Sequence, residues 1–340
     1  MKTTRARRVS VALACVLIAS CGGSVSPALS PALSPTPTPG PTAVATPTRP
    51  PVATATPTTV ATAAPAAVTA TPPTGTFTAV SAHWEEDCAI RADKTIVCWI
   101  GEAVEGDDGA NDASEWTTPP AGAYVAVSAS GMGGCAIRTN GRMACWGNNE
   151  FGQATPRAGT FAAVSASGND TCALRANRTV VCWGWNNSGQ DDVRAGKYTA
   201  VSGGGPQTCA IRTDGTLACW GYNKKDGGGT PPSGKYTAVS AGQLFTCAIR
   251  SNRTLACWGY NVSGQATPPS GTYTAVSAGA LFACAIRIDG TLVCWGSNVH
   301  GEATPPAGTY TAVSVGYSHA CAIRTDGTLA CWGTYGLTEW

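Results

Sequence analysis

Fourteen of the sixteen cysteines fall in pairs ten positions apart: Cys88/Cys98, Cys135/Cys145, Cys172/Cys182, Cys209/Cys219, Cys247/Cys257, Cys284/Cys294 and Cys321/Cys331. Paired thiols can oxidise, ligate metal or attack a substrate. Structural zinc uses short paired spacings completed by further Cys or His. This chain has only His83, His300 and His319. A Cys-His nucleophile needs a free thiolate, which pairing would remove. Oxidation to one disulfide per pair is the favoured reading, with buried unpaired cysteines as the alternative.

The elements that would position such pairs can be read from Cys284-Ala-Ile-Arg-Ile-Asp-Gly-Thr-Leu-Val-Cys294. Both cysteines are equidistant from Asp289, which fits a hairpin with a three-residue loop, Ile288-Asp289-Gly290. A type I turn followed by glycine in the left-handed region has that length. In this register Ile286 faces Leu292 and Cys284 faces Cys294. A period of two then places all four on one face, with Arg287 and Thr291 on the other. Closing an 11-residue loop stabilises by roughly 2.5–3 kcal/mol in the chain-entropy model.

The hairpin recurs. Its preceding strand, Tyr273-Thr-Ala-Val-Ser277, also recurs, and the opening glycines are Gly75, Gly122, Gly159, Gly196, Gly234, Gly271 and Gly308. Their spacings are 47, 37, 37, 38, 37 and 37, a period that indicates a solenoid, propeller or array. Segments such as Ala266-Thr-Pro-Pro269 suit only a sheet edge, because proline cannot donate to a ladder. Four short strands per repeat is the content of one propeller blade. Residues 70–73 match that edge segment and are expected to complete the blade begun by residues 308–333, which closes the ring.

Ala-Val-Ser-Ala-Gly, then Cys-Ala-Ile-Arg-Thr-Asp-Gly-Thr-Leu, then Cys-Trp-Gly-x-Asn-x-x-Gly-Gln resembles the regulator of chromosome condensation repeat. The tail is fullest at Trp183–Gln190 and Trp258–Gln265. The resemblance spans residues 70 to 340 and implies an all-β fold, a seven-bladed β-propeller with four-stranded blades. The cysteine pair departs from the intracellular eukaryotic member of that family. The family's guanine-nucleotide-exchange activity is not expected here, because its partner is intracellular. A secreted family member that inhibits β-lactamase makes a protein ligand reasonable by analogy.

Ahead of the repeats, residues 1–20 read as an export signal. Lys2, Arg5, Arg7 and Arg8 precede the apolar run from Val9 to Ile18. Ile18-Ala19-Ser20-Cys21 resembles a bacterial lipobox, which implies cleavage before Cys21 and its lipidation; an ordinary signal peptide is the alternative. Removing those four basic residues takes the formal charge from +2 to −2. Such balance argues against nucleic acid as a partner. Residues 21–69 are a Pro/Thr/Ala-rich disordered linker, too poor in large apolar residues to fold. An exported compartment permits disulfides, so the expected location is the bacterial cell envelope, lipid-anchored and facing outside the cytoplasm. A closed ring of near-zero charge is compatible with a monomer.

Repeat one carries an insertion within residues 100–116 containing Glu102, Glu105, Asp107, Asp108 and Asp112. A solvated loop is the default. Ca²⁺ is the alternative, although the EF-hand order is absent. Repeat-invariant positions build blades, so function belongs where repeats differ. The segment before each first cysteine varies most. It places Trp84, Met132, Phe245, Phe282, Tyr317 and His319 on one face as a candidate binding rim, with Glu85 and Glu86 at one side. The alternative for Phe245 and Phe282 is to fill space between blades. A second variable set follows Trp-Gly: Asn148, Trp185, Tyr222, Tyr260, Ser297 and Tyr335, suited to sugar stacking or to blade-edge packing. No Gly-x-Ser-x-Gly elbow, metal-spaced histidines or converging carboxylates appear. The expectation is a non-enzymatic binding module for an envelope or extracellular protein or glycan, without metal or cofactor. The alternatives are a structural or adhesive surface protein and a polysaccharide-acting enzyme.

Overall fold

The computed structural model describes residues 72–84, 86–100, 118–222 and 230–334. The export signal, Cys21, the linker, Glu85, Tyr335 and the acidic residues of the repeat-one insertion lie outside them. Among the described residues there are seven antiparallel sheets and no helix. Each sheet is one repeat. In the sixth blade the strands are Tyr273–Ala278, Phe282–Arg287 and Leu292–Gly296.

The hairpin register is the expected one: Cys284 pairs with Cys294 and Ile286 with Leu292. The three-residue loop closes by Gly290 N–H donating to Arg287 O at 2.9 Å, with Gly290 at φ 85°. Asp289 Oδ1 accepts from Thr291 N and Oγ1 at 2.9 and 2.7 Å.

All seven expected disulfides form, each between directly opposed cysteines. They are Cys88–Cys98, Cys135–Cys145, Cys172–Cys182, Cys209–Cys219, Cys247–Cys257, Cys284–Cys294 and Cys321–Cys331. The two ends of a bridge differ in burial. The first cysteine of every pair is buried. Of the second cysteines, Cys98 and Cys219 are buried, whereas Cys145, Cys182, Cys257, Cys294 and Cys331 are only partly so. The second cysteine sits on the last strand of its sheet, at an edge that no further strand covers.

Among the described residues blades hold three strands, and the expected fourth is not formed. The reason is chemical. The Pro268-Pro269 segment has no N–H to give a ladder, and Asn261 captures the chain just before it. Asn261 Oδ1 accepts from Ala266 N at 2.8 Å, and its Nδ2 donates to Thr267 Oγ1 at 3.0 Å. The next stretch is clipped to its own blade. Tyr310 Oη donates to Pro306 O at 2.9 Å, and Arg324 Nη1 donates to Ala307 O at 3.1 Å while lying 5.3 Å from the Tyr310 ring. Arg91, Arg138, Arg175, Arg212 and Arg250 make the same bond, so these arginines fasten the entry segments of their blades. Pro72 and Pro73 likewise join no sheet; Thr74 O accepts from Arg91 of the first blade.

Neighbouring blades pack one face against the other. Phe282, Cys284 and Ile286 of blade six meet Tyr310, Val313, Val315 and Ala322 of blade seven. The same packing joins Cys321, Ile323 and Cys331 of blade seven to Phe77, Val80, Val97 and Trp99 of blade one. Among the described residues the ring thus closes by the contact that forms every other seam, with no shared strand.

Polar bonds repeat around the ring as well. Each inner strand carries a buried serine whose Oγ accepts the N–H of the residue after the next blade's serine. Ser81, Ser128, Ser165, Ser202, Ser240 and Ser277 accept from Ala129, Ala166, Gly203, Ala241, Ala278 and Val315, and Ser314 accepts from Ala82. The seven distances run from 2.6 to 3.0 Å. A second bond runs from Phe77 N to Gly327 O at 2.8 Å, with counterparts such as Tyr310 N to Gly290 O. Removing one hydroxyl strands a buried amide. Ser202→Ala is therefore expected to lower stability by about 1–3 kcal/mol in urea unfolding. A loss below about 0.5 kcal/mol would show that water or a neighbour replaces the bond.

Candidate functional site

The two variable sets occupy one face. The residue after each Trp-Gly donates its backbone N–H to the carbonyl of the residue just before the middle strand. The pairs are Asn148/Met132, Trp185/Asn169, Tyr222/Pro206, Tyr260/Leu244, Ser297/Leu281 and Thr334/Ser318, at 2.7–3.1 Å. One rim therefore carries both sets, and each rim residue's backbone is held by its blade.

The rim residues named from sequence divide in two. Trp84 and Tyr317, from adjacent blades one and seven, stack with ring centroids 5.3 Å apart at 25° and are partly exposed. Met132, also partly exposed, follows in blade two; its neighbour Gly131 lies against Trp84 and His83. Phe245, Phe282 and His319 are fully buried. Each stands two residues before a cysteine, so strand alternation turns it onto the disulfide face and into a seam. They offer no surface to a partner. The same alternation exposes the preceding residue, and Leu244 is 37% exposed. Parity with Cys247 was the available signal for that pair. In the second set Tyr222 and Tyr260 are 48% and 37% exposed.

Under the Trp84–Tyr317 stack lies a buried ionisable cluster. His319 Nε2 sits 3.0 Å from Asp87 Oδ1, which also accepts from His83 N at 3.0 Å. His83 is held down to about 3, first by burial and then by His319. Glu86 is buried between blades one and two. It accepts from Gly133 N at 2.7 Å and Trp146 Nε1 at 3.4 Å, and burial pushes it up to about 8 against those bonds. Elsewhere this tryptophan donates to a loop carbonyl, as Trp183 does to Gln153 O and Trp220 to Gln190 O. Asp170, bonded to Ser167, is also raised, again by burial.

Among the described residues two groupings bring three metal-type side chains together, Glu86/Cys88/Cys98 and Cys172/Cys182/Asp191. In both, the cysteines are joined as disulfides and supply no thiolate. The partly exposed Cys145, Cys257 and Cys331 and the buried Cys219 are bonded in the same way. These cysteines build blades. Glu86, Asp87, Asp170, His83 and His319 are each enclosed between blades. Their chemistry is that of seams, while Trp84, Met132, Tyr317, Leu244, Tyr222 and Tyr260 lie at least partly in solvent.

The sequence pattern of the Regulator of chromosome condensation (RCC1) repeat matches residues 124–153, 161–190, 236–265, 273–302 and 310–334. No curated protein matches the whole sequence. Among solved structures, the ectodomain of the receptor kinase CR4 from Physcomitrella patens aligns with TM-score 0.64 and 23% identity, over 78% of this chain and 75% of that one. The CRINKLY WD40 ectodomain of the receptor kinase ACR4 from Arabidopsis thaliana gives 0.62 and 24%, over 78% and 98%. Prp20p from Saccharomyces cerevisiae gives 0.56 and 14%, over 77% and 83%. At these identities the likeness concerns the fold.

Glu86 sets a pH dependence. A carboxyl raised from 4.5 to about 8 leaves stability intact below its unfolded value and removes it as pH climbs from 4.5 to about 8. Glu86→Gln is expected to abolish that decline, a gain on the order of a few kcal/mol at pH 8. His83 works on the other flank, losing stability as pH falls from 6.5 to about 3. Melting temperatures from pH 4 to 9 for both proteins test this. Parallel curves would show that Glu86 ionises without cost.

Proposed function

Because this chain belongs with the propellers built of RCC1 repeats, we propose that it is a non-enzymatic binding module. Its partner is a protein or glycan outside the cytoplasm, and its contact face is the rim that carries both variable sets. The observation that supports this most is positional. Blade-building residues repeat sevenfold, whereas rim residues differ from blade to blade and put Trp84, Met132, Tyr317, Leu244, Tyr222 and Tyr260 at least partly in solvent. Partly exposed aromatics and Met on a rigid support are the composition of binding hot spots. Seven disulfides fit an oxidising compartment, and the fold likeness to two receptor-kinase ectodomains accords with it. The lipobox-like Ile18-Ala19-Ser20-Cys21 adds a lipid anchor in a bacterial envelope.

The test uses the oxidised full chain as bait against envelope and secreted extracts, with retained proteins and glycans identified by mass spectrometry. The comparison is Trp84→Ala/Met132→Ala/Tyr317→Ala. The expected result is a partner retained by the wild type and lost by a variant of unchanged melting temperature. Equal retention by both, or none by either, removes this role for the rim.

A further inference from the structure

The hairpin turns stand at the end of the blades opposite the rim. Their exposed side chains include Lys94 of blade one, Arg142 of blade two, Arg178 of blade three and Arg253 of blade five. Lys197 and Lys235, exposed in the entry segments of blades four and five, join the same side. Lys197 Nζ donates to Asn177 O of blade three's turn at 2.9 Å, and Lys235 Nζ lies 3.7 Å from Asp214 Oδ2 of blade four's turn. The turns follow one another around the ring, because each lends a carbonyl to the next blade. Lys94, Gly141, Arg178, Gly215 and Arg253 O accept from Tyr124, Phe161, Tyr198, Tyr236 and Tyr273 N, all at 2.8 Å. The six cations therefore form one arc across five consecutive blades.

Two observations set this arc apart from an ordinary solvated surface. Lys94, Arg178 and Arg253 have φ of 72°, 68° and 69°, where the other four turns hold Gly141, Gly215, Gly290 and Gly327. Glycine suits the left-handed region better, so the turn itself does not call for a basic side chain. Charge balance is the second. The turn residue that bonds the amide two positions on is Asp93, Asp214, Asp289 or Asp326 in blades one, four, six and seven. In blades two, three and five it is Asn140, Asn177 or Asn252. The blades that carry Arg142, Arg178 and Arg253 are thus the blades without a turn carboxylate. Among the described residues Lys235–Asp214 is the one ion pair on this side, while the exposed Glu150 and Asp192 lie in rim loops. A nearly neutral chain is polarised across its ring.

We propose that this arc rests on a membrane surface of anionic lipid. Such a surface presents many separate negative charges over a wide area, and cations spread over five blades match it better than they match one small anion. The described chain also begins on this side. Thr74 O accepts from Arg91 Nη1 and Thr76 O from Ala92 N, so the segment bearing the lipobox-like sequence joins the ring beside the basic turns. Ile288, 59% exposed in blade six's turn, adds an apolar side chain on the same side. A lipid chain and a basic patch are two signals that together give stable attachment. The rim then faces away from the membrane. The inference does not depend on the binding-module reading, which concerns the opposite side.

The test mixes the oxidised full chain, made without lipid on Cys21, with vesicles of phosphatidylcholine alone or with about 30% phosphatidylglycerol. Cosedimentation and hydrogen exchange are the readouts. The wild type is expected to bind only the anionic vesicles, and more weakly as salt rises from about 50 to about 200 mM. Exchange should slow in the turns of blades two, three and five and not at the rim. The variant Lys94→Gly/Arg142→Thr/Arg178→Gly/Lys197→Thr/Arg253→Gly places at each position a residue type that other blades hold there. It should bind at least roughly tenfold more weakly and melt no lower than the wild type. Arg142→Lys/Arg178→Lys/Arg253→Lys, which keeps the charge, should bind as the wild type does. The export-signal cations are common to all three proteins, so differences among them report the arc. Wild-type binding by the neutral variant, equal binding to both vesicles, or no binding to either would overturn the inference. Tighter binding to duplex DNA or polyglutamate, run beside the vesicles, would overturn it as well.

Discussion

At every seam one serine hydroxyl bonds to the neighbouring blade's backbone. Ser81, Ser128, Ser165, Ser202, Ser240, Ser277 and Ser314 accept an amide N–H from the neighbouring inner strand, so the seven bonds form an unbroken belt about the axis. A buried amide without an acceptor is costly, and the belt supplies an acceptor at every step. It also fixes how close inner strands come. That closeness admits glycine at four neighbouring sites: a Cβ on Gly204, Gly242, Gly279 or Gly316 would lie 2.1–2.6 Å from a carbonyl oxygen of the next blade. Blades one to three hold His83, Ser130 and Ser167 at the matching place. His83, Glu86 and Asp87 of blade one and Asp170 of blade three are buried on that side of the ring.

The disulfides do a different task. Each spans ten positions and stays within one hairpin, so none ties two blades together. They stiffen the surface against which the next blade's Tyr, Val and Ala residues pack. Rigid blades with apolar faces can then be joined by non-covalent seams alone. The rim inherits this rigidity, because its loops start and end on the cross-linked hairpins.

Much of this was legible in the sequence. The hairpin register followed from the position of Asp289 between two cysteines, and the structure agrees with it residue by residue. The unequal burial of the two ends was not legible, because it depends on which strand lies at a sheet edge. Cys145, Cys257 and Cys331 are therefore more open than their partners Cys135, Cys247 and Cys321. Strand number was misjudged because the Ala-Thr-Pro-Pro segments have the length of a strand. What they do is decided by the Asn261 side chain, whose local bonds replace a ladder. Phe245, Phe282 and His319 were placed on the rim by their variability, yet their parity with the following cysteine already assigned them to a seam. The serine belt was hidden for another reason. A serine in Ala-Val-Ser suits any tightly packed strand, and its acceptor role appears only once seven strands stand around an axis.

Closure by a seam like all the others has a mechanical consequence. In a ring sealed by a shared strand, the chain ends are stapled into one sheet. Here the ends of the described ring belong to different blades, one and seven, held by Ser314 and Ala82, by Phe77 and Gly327, and by apolar contact. Tension applied to the two ends loads that junction first. After it parts, blades peel away in order. Each peeled hairpin can extend only as far as its disulfide allows, so the extensible length per blade lies in the inner strand and the connecting straps. A ring loaded at its two ends would yield in short, separate steps.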